Sequence, residues 1–208
     1  MRRTEFGDDF VWGVACAAAQ IEGGRTEGGR GRSIWDDAAR RGRIAGGDPF
    51  GRAIDFFHRW EEDLDHVAAM GHEAFRFSIS WSRVLPEGVG PVSEAGLAFY
   101  DRVVDGCLAR GLEPWITLFH WDTPTALQER GGWEDRRVLD WFGEYARVVV
   151  DAFGHKVRRW MVLNEPNGYA GFWRGGRHQG RPGPPPRCGA PAEHPPNPAA
   201  RDPPPPPP

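Results

Sequence analysis

The sequence predicts an α/β fold built on parallel strands, and three observations carry that prediction. Between residues 10 and 165, short apolar runs of strand length alternate with longer segments whose apolar residues recur at helical spacing. The order reads βαβαβαβ, and strands joined through helices in this way run parallel with right-handed crossovers. Polar groups able to hydrogen-bond a ligand stand at the ends of three of the strands. A doubly wound sheet and half of a β/α barrel both fit this alternation. No G-x-G-x-x-G or P-loop follows any of the strands, which weakens the nucleotide-binding version.

The elements follow in order. FVWGVACAA (10–18) is an apolar run that predicts the first strand. Residues 53–70 place Ile54, Phe57, Leu64, Val67 and Ala68 at helical spacing, and Gly71 stops that helix. EAFRFSIS (73–80) alternates, with Phe75, Phe77 and Ile79 on one face and Arg76, Ser78 and Ser80 on the other. Ser93 is an N-cap candidate for a helix carrying Leu97, Tyr100, Val103, Val104 and Leu108 on one side, with Gly111 just past its end. EPWITLF (113–119) predicts the third strand. Residues 136–153 predict a helix through Val138, Trp141, Phe142, Tyr145, Val148, Val149 and Phe153. RRWMVLNE predicts the fourth strand, and Pro166 forbids its continuation as a paired ladder.

The awkward polar residues lie at the strand exits. Gln20 and Glu22 follow strand one, His120 and Asp122 follow strand three, and Asn164 and Glu165 close strand four. In a β/α barrel these ends face one pocket. Taken singly, each has a bland reading. Gln20 suits a turn or cap, His120 a satisfied buried histidine, Asp122 the cap of a short helix starting at Pro124, and Glu165 the partner of an arginine. Together, at three exits of one face, they predict a polyol site. Arg76 sits inside strand two, where an unpaired buried guanidinium is costly, so it is expected to have a carboxylate partner.

Composition bounds the rest. Lys plus Arg is 26 against 29 Asp plus Glu, a net charge of −3, so nothing asks for nucleic acid or an anionic membrane. Ten tryptophans suit both a core and clefts for flat ligands such as sugar rings. Cys16, Cys107 and Cys188 are too few and too far apart for a disulfide framework, which fits a reducing, cytoplasmic compartment. No signal peptide or membrane span is read from the chain. His58, His66 and His72 lack the spacing of a helical metal site, and no G-x-S-x-G elbow occurs. EEDLD (61–65) reads as a solvated helix face.

Character changes near Arg174. Of 20 prolines, 14 lie in the last 35 residues, so residues 174–208 are expected to be disordered, with polyproline II character. A frameshift in GC-rich coding sequence produces such runs and is the favoured origin; a ligand for proline-recognition domains is the other reading. Residues 1–173 form the globular part.

The blocks FVWGVACAAAQIEGG, GRSIWD, FRFSISWSRVLPEG, FYDRVVD, LFHWDTPTALQERGGW and MVLNEPN, in this order, are the basis of a resemblance. The chain resembles the N-terminal half of glycoside hydrolase family 1, the retaining β-glucosidase family. The resemblance implies an incomplete (β/α)8 TIM barrel of about four βα units, with no cofactor. By it, Gln20 and His120 would bind sugar hydroxyls, and Asn164 the 2-hydroxyl. Glu165 would be the general acid/base, Arg76 the neighbour of the nucleophilic carboxylate, and Trp121 of FHWD a supporting residue. The family nucleophile lies in an E-N-G motif, and E-N-G occurs nowhere in this sequence. The expectation is therefore a truncated β-glucosidase lacking its nucleophile, whose partner is a β-glycoside or oligosaccharide. The alternative is an inactive fragment or a non-catalytic sugar-binding or Pro-rich interaction module. Four strands cannot close the barrel, so self-association or aggregation is expected.

Overall fold

A computed structural model describes residues 5–7, 9–44 and 51–170. The expected Pro-rich tail, and with it the boundary at 173/174, lies outside the described residues. Four strands, β1 (Gly13–Ala15), β2 (Ala74–Ser78), β3 (Glu113–Phe119) and β4 (Arg159–Leu163), form one parallel sheet in the order β1-β2-β3-β4. A doubly wound sheet reverses its strand order at a switch point, whereas this sheet advances one strand at a time in one direction, as a barrel does.

Helices α1 (Ala18–Ile21), α2 (Ile34–Arg40), α3 (Phe56–Ala69), α4 (Trp81–Val84), α5 (Glu94–Ala109), α6 (Thr125–Gln128) and α7 (Val138–Phe153) surround the sheet, with a 3-10 turn at Gly132–Glu134 and a further helix starting at Pro166. The three long crossover helices are those expected from apolar spacing. Ser93 caps α5 by accepting from the Gly96 amide. Gly71 and Gly111 take left-handed φ values of 74° and 72° just past α3 and α5, where a side chain would be strained. Helices α3 and α5 approach closely because Gly106 is bare: a Cβ there would stand 2.4 Å from the Trp60 ring.

The alternation in strand two holds. Phe75 and Phe77 face the helices, with Phe75 6.0 Å from Phe56, while Ser78 accepts from the Ala18 amide and Arg76 points along the other face. Behind the sheet, Trp81 stacks on Tyr145 at 4.9 Å, and its Nε1 donates to the Gly88 carbonyl. The Tyr145 hydroxyl bonds the carbonyls of Leu118 and Ile79, tying α7 to the ends of two strands.

Several expectations need correction. Strand one is three residues, not nine: Phe10 and Trp12 pack against the Phe6 ring at tilted and edge-on angles, and Ala18 already opens α1. Ile54 lies before α3 and is exposed. Leu108, read on the buried side of α5, is 45% exposed; in that turn the buried face passes through Gly106 and Cys107 instead. Asp122 does not cap the helix after Pro124; α6 has Pro124 itself at its N-cap, without a side-chain bond.

Candidate active site

Strand exits three and four converge. The Asn164 amide donates to the Phe119 carbonyl at 2.9 Å, carrying the parallel ladder one step past β4. The next residue, Glu165, has φ 45°, and the chain turns there from strand to a helix beginning at Pro166. A left-handed φ on a side-chain-bearing residue costs free energy and persists only where surrounding contacts hold it. Trp121 at the end of β3 shows the same feature, with φ 69°. The two are linked, since Trp121 Nε1 donates to the Asn164 carbonyl at 2.8 Å. A Cβ placed on Gly168 would meet the Trp121 ring at 3.4 Å and Glu165 Oε2 at 3.5 Å, so the carboxylate lies beside the indole. Glu165 itself is exposed.

Arg76 joins three strands. Its Nε donates to Thr117 Oγ1 at 2.9 Å and a terminal nitrogen to Asn164 Oδ1 at 2.7 Å. The carboxylate partner expected for it is absent among the described residues; neutral oxygens take that place, which a half-buried guanidinium tolerates because every bond is charge-assisted. His120 lies half-buried within the field of Arg76. Burial, helped by the Arg76 charge, pulls its pKa down to about 4, so the ring is neutral near pH 7. Its Nδ1 is buried with no hydrogen-bond partner in the structure. Gln20 sits exposed in α1 after edge strand β1, at the remaining exit.

Two polar residues expected among the ligand-binding groups are interior instead. Glu22 is buried, accepting from Arg83 Nε at 3.0 Å and from the Tyr100 hydroxyl. Asp122 is 1% exposed; burial raises its pKa to about 6, with the Arg30 charge opposing and the Glu22 charge adding to that rise. Sequence reading had the reverse gap as well. Arg83 lies inside SISWSRVL, an apolar context that signals a buried partner, yet it was not singled out. Among the described residues no three His, Cys, Asp or Glu side chains are grouped as a metal would require.

What this arrangement can do chemically is bind a polyhydroxylated ring. It offers a neutral imidazole, an amide held from two strands and an indole, with one exposed carboxyl next to them. Comparison with known proteins identifies the family. A model of glycosyl hydrolase family 1 matches residues 2–183. Beta-glucosidase A of Thermotoga maritima is 46% identical over 167 residues, which is 80% of this chain and 37% of that protein. Beta-glucosidase 42 of Arabidopsis thaliana is 44% identical over 186 residues, 85% of this chain and 38% of its own length. The solved structure of the family 1 β-glucosidase from Thermotoga maritima superposes with a TM-score of 0.76 at 47% identity, covering 77% of this chain and 36% of that one. The same enzyme has been solved with castanospermine and with deoxynojirimycin. This chain thus spans somewhat over a third of the length of these relatives, and its four parallel strands are an incomplete (β/α)8 barrel. With its motifs in register over nearly the whole described part, the chain belongs to glycosyl hydrolase family 1.

Proposed function

We propose that this chain carries the sugar-binding and acid/base half of a retaining β-glucosidase site, acting on terminal β-D-glycosides or oligosaccharides in carbohydrate metabolism. The observation behind the reading is the Arg76–Asn164 bond at 2.7 Å, which fixes the residue immediately before Glu165. Asn164 and His120 hold ring hydroxyls, Gln20 adds a contact from the first exit, and Trp121 braces Asn164 from behind.

In the first step Glu165, as the acid, gives its proton to the glycosidic oxygen while the bond from that oxygen to the anomeric carbon breaks. A second carboxylate takes the carbon. In the next step Glu165, now ionised, removes a proton from the water that displaces that carboxylate. Retention requires the two carboxyls about 5–5.5 Å apart. Arg76 keeps donors beyond those used by Thr117 and Asn164, and these would face the second carboxylate. This sequence has no E-N-G motif to supply it, so the site here is half of a pair.

Two free thiols, the half-buried Cys16 and the buried Cys107, each pushed up to about 12 chiefly by burial, support a cytoplasmic, reducing location. No helix among the described residues is long and apolar enough to cross a membrane.

The test pairs turnover with binding. The purified chain is assayed on 4-nitrophenyl β-D-glucopyranoside beside Glu165→Gln, and titrated with deoxynojirimycin while NMR follows His120, Trp121 and Asn164. Equal, background turnover with localised shifts is expected. Turnover abolished by Glu165→Gln overturns the half-site; unmoved resonances overturn sugar binding.

A further inference from the structure

Thr117 lies in the middle of β3, fully buried, in register with Ser78 of β2 and Met161 of β4. Valine has the same shape without the polar cost, so a hydroxyl here needs a partner to be tolerated. That partner is Arg76 Nε at 2.9 Å. A guanidinium carries donors only, so the Asn164 atom facing Arg76 at 2.7 Å is the carbonyl oxygen Oδ1 by chemical necessity. Bonds at Nε and at a terminal nitrogen together fix the plane of the fork. The Asn164 backbone is held independently, by Phe119 on one side and Trp121 on the other.

We propose that Thr117 is the positioning residue of the site: by anchoring Arg76 at Nε it holds the guanidinium against Asn164 Oδ1 and turns the Asn164 Nδ2 donors toward the ligand. Asn164 then offers a sugar hydroxyl a donor. The identity of that ligand rests on the sugar-binding reading above; the strut itself does not. The charge that Thr117 holds in place also faces His120 and lowers its proton affinity beyond what burial does, which provides a reporter that packing alone would not move.

The experiment uses the full chain labelled with 15N and 13C, without any sugar, so its outcome is independent of whether a glycoside binds. NMR follows exchange of the Arg76 Nε–H, the Asn164 Nδ2 signals and the His120 titration in wild type, Thr117→Ser and Thr117→Val. The Arg76 Nε–H is expected to exchange at least tenfold slower than in a free arginine. Thr117→Ser should keep that protection. Thr117→Val should lose it, shift Asn164 Nδ2 and raise the His120 pKa, because the guanidinium is no longer held close. A folded Thr117→Val with all three signals unchanged overturns the proposal. So does fast exchange of the Arg76 Nε–H in wild type, a measurement that stands even if the valine variant does not fold.

Discussion

Arg83 and Glu22, 61 residues apart in sequence, meet at 3.0 Å in the interior, with both side chains almost completely removed from solvent. The Arg83 guanidinium also donates to the carbonyls of Gly23 and Glu27 and stacks 4.3 Å over the Phe57 ring. Glu22 completes its own bonding through the Tyr100 hydroxyl, which in turn accepts from the Ser80 amide. Breaking a buried pair from one side strands the other charge. Arg83→Met is therefore expected to destabilise the chain by about 3–5 kcal/mol in urea unfolding. The double variant Arg83→Met/Glu22→Gln should recover part of that loss. A single variant as stable as wild type would show the pair to be dispensable.

His58 bridges two segments, with Nδ1 2.7 Å from Asp55 Oδ1 and Nε2 2.9 Å from Glu27 Oε2. The hydrogen bond to Asp55, followed by that to Glu27, raises its pKa. A base raised in the folded state contributes stability that is fully present below its unfolded pKa and is lost as pH rises through the folded value. Asp55 behaves oppositely: the same bond lowers its pKa, so its contribution is lost as pH falls through that lowered value. The melting-temperature difference between wild type and His58→Ala should be largest below about pH 6.5, the ordinary histidine value, and shrink as pH rises through the raised folded value. A pH-independent difference would contradict the bridge.

His120 titrates in the opposite sense. With a pKa of about 4 it stays neutral while the unfolded chain takes up a proton, so stability falls as pH drops below the ordinary histidine range, down to about 4. NMR should find its ring resonances unmoved between pH 8 and 6. Arg76→Gln should raise the pKa while leaving it below the ordinary value, because burial is the larger cause. A wild-type midpoint in the ordinary histidine range would contradict the enclosed site.

Strands β1 and β4 are the edges of the sheet, and Val162 on β4 is 55% exposed. Exposed, apolar parallel edges template pairing with another chain. Sedimentation velocity is expected to show self-association that rises with concentration. Val162→Lys should shift the distribution toward monomer, since a charge on an edge resists pairing. A wild-type chain that stays monomeric at about 100 µM, within the µM–mM range where such association shows, would remove the prediction.

Much of this protein is legible locally. EPWITLF is β3 to the residue, and the apolar spacing around Val138 and Phe153 marks α7, because strand and helix periods follow from backbone geometry and one buried face. Helix α2 was missed, although Ser33 and Asp36 form its start: the Asp36 carboxylate accepts from the Ser33 amide and hydroxyl. Seven residues carry too few turns for an apolar period to declare itself. Strand one was overread because its flanks are apolar for other reasons: Phe10 packs against Phe6 and Trp12 before the ladder, and Ala18 opens a helix after it.

The sequence by itself determined the parallel α/β order, the exits at which polar residues gather and the motifs that place the chain in its family. Tertiary structure alone decided which of those polar residues are taken into the interior. Glu22 and Asp122 look no different in sequence from Gln20 and His120, yet Glu22 turns inward to Arg83, a partner 61 residues away. The same holds for Arg76, which awaited a carboxylate on sequence grounds and found Thr117 and Asn164. The reason is physical: periodicity records which face of an element is buried, whereas the pairing of buried charges depends on contacts between elements that only their assembly around the sheet brings together.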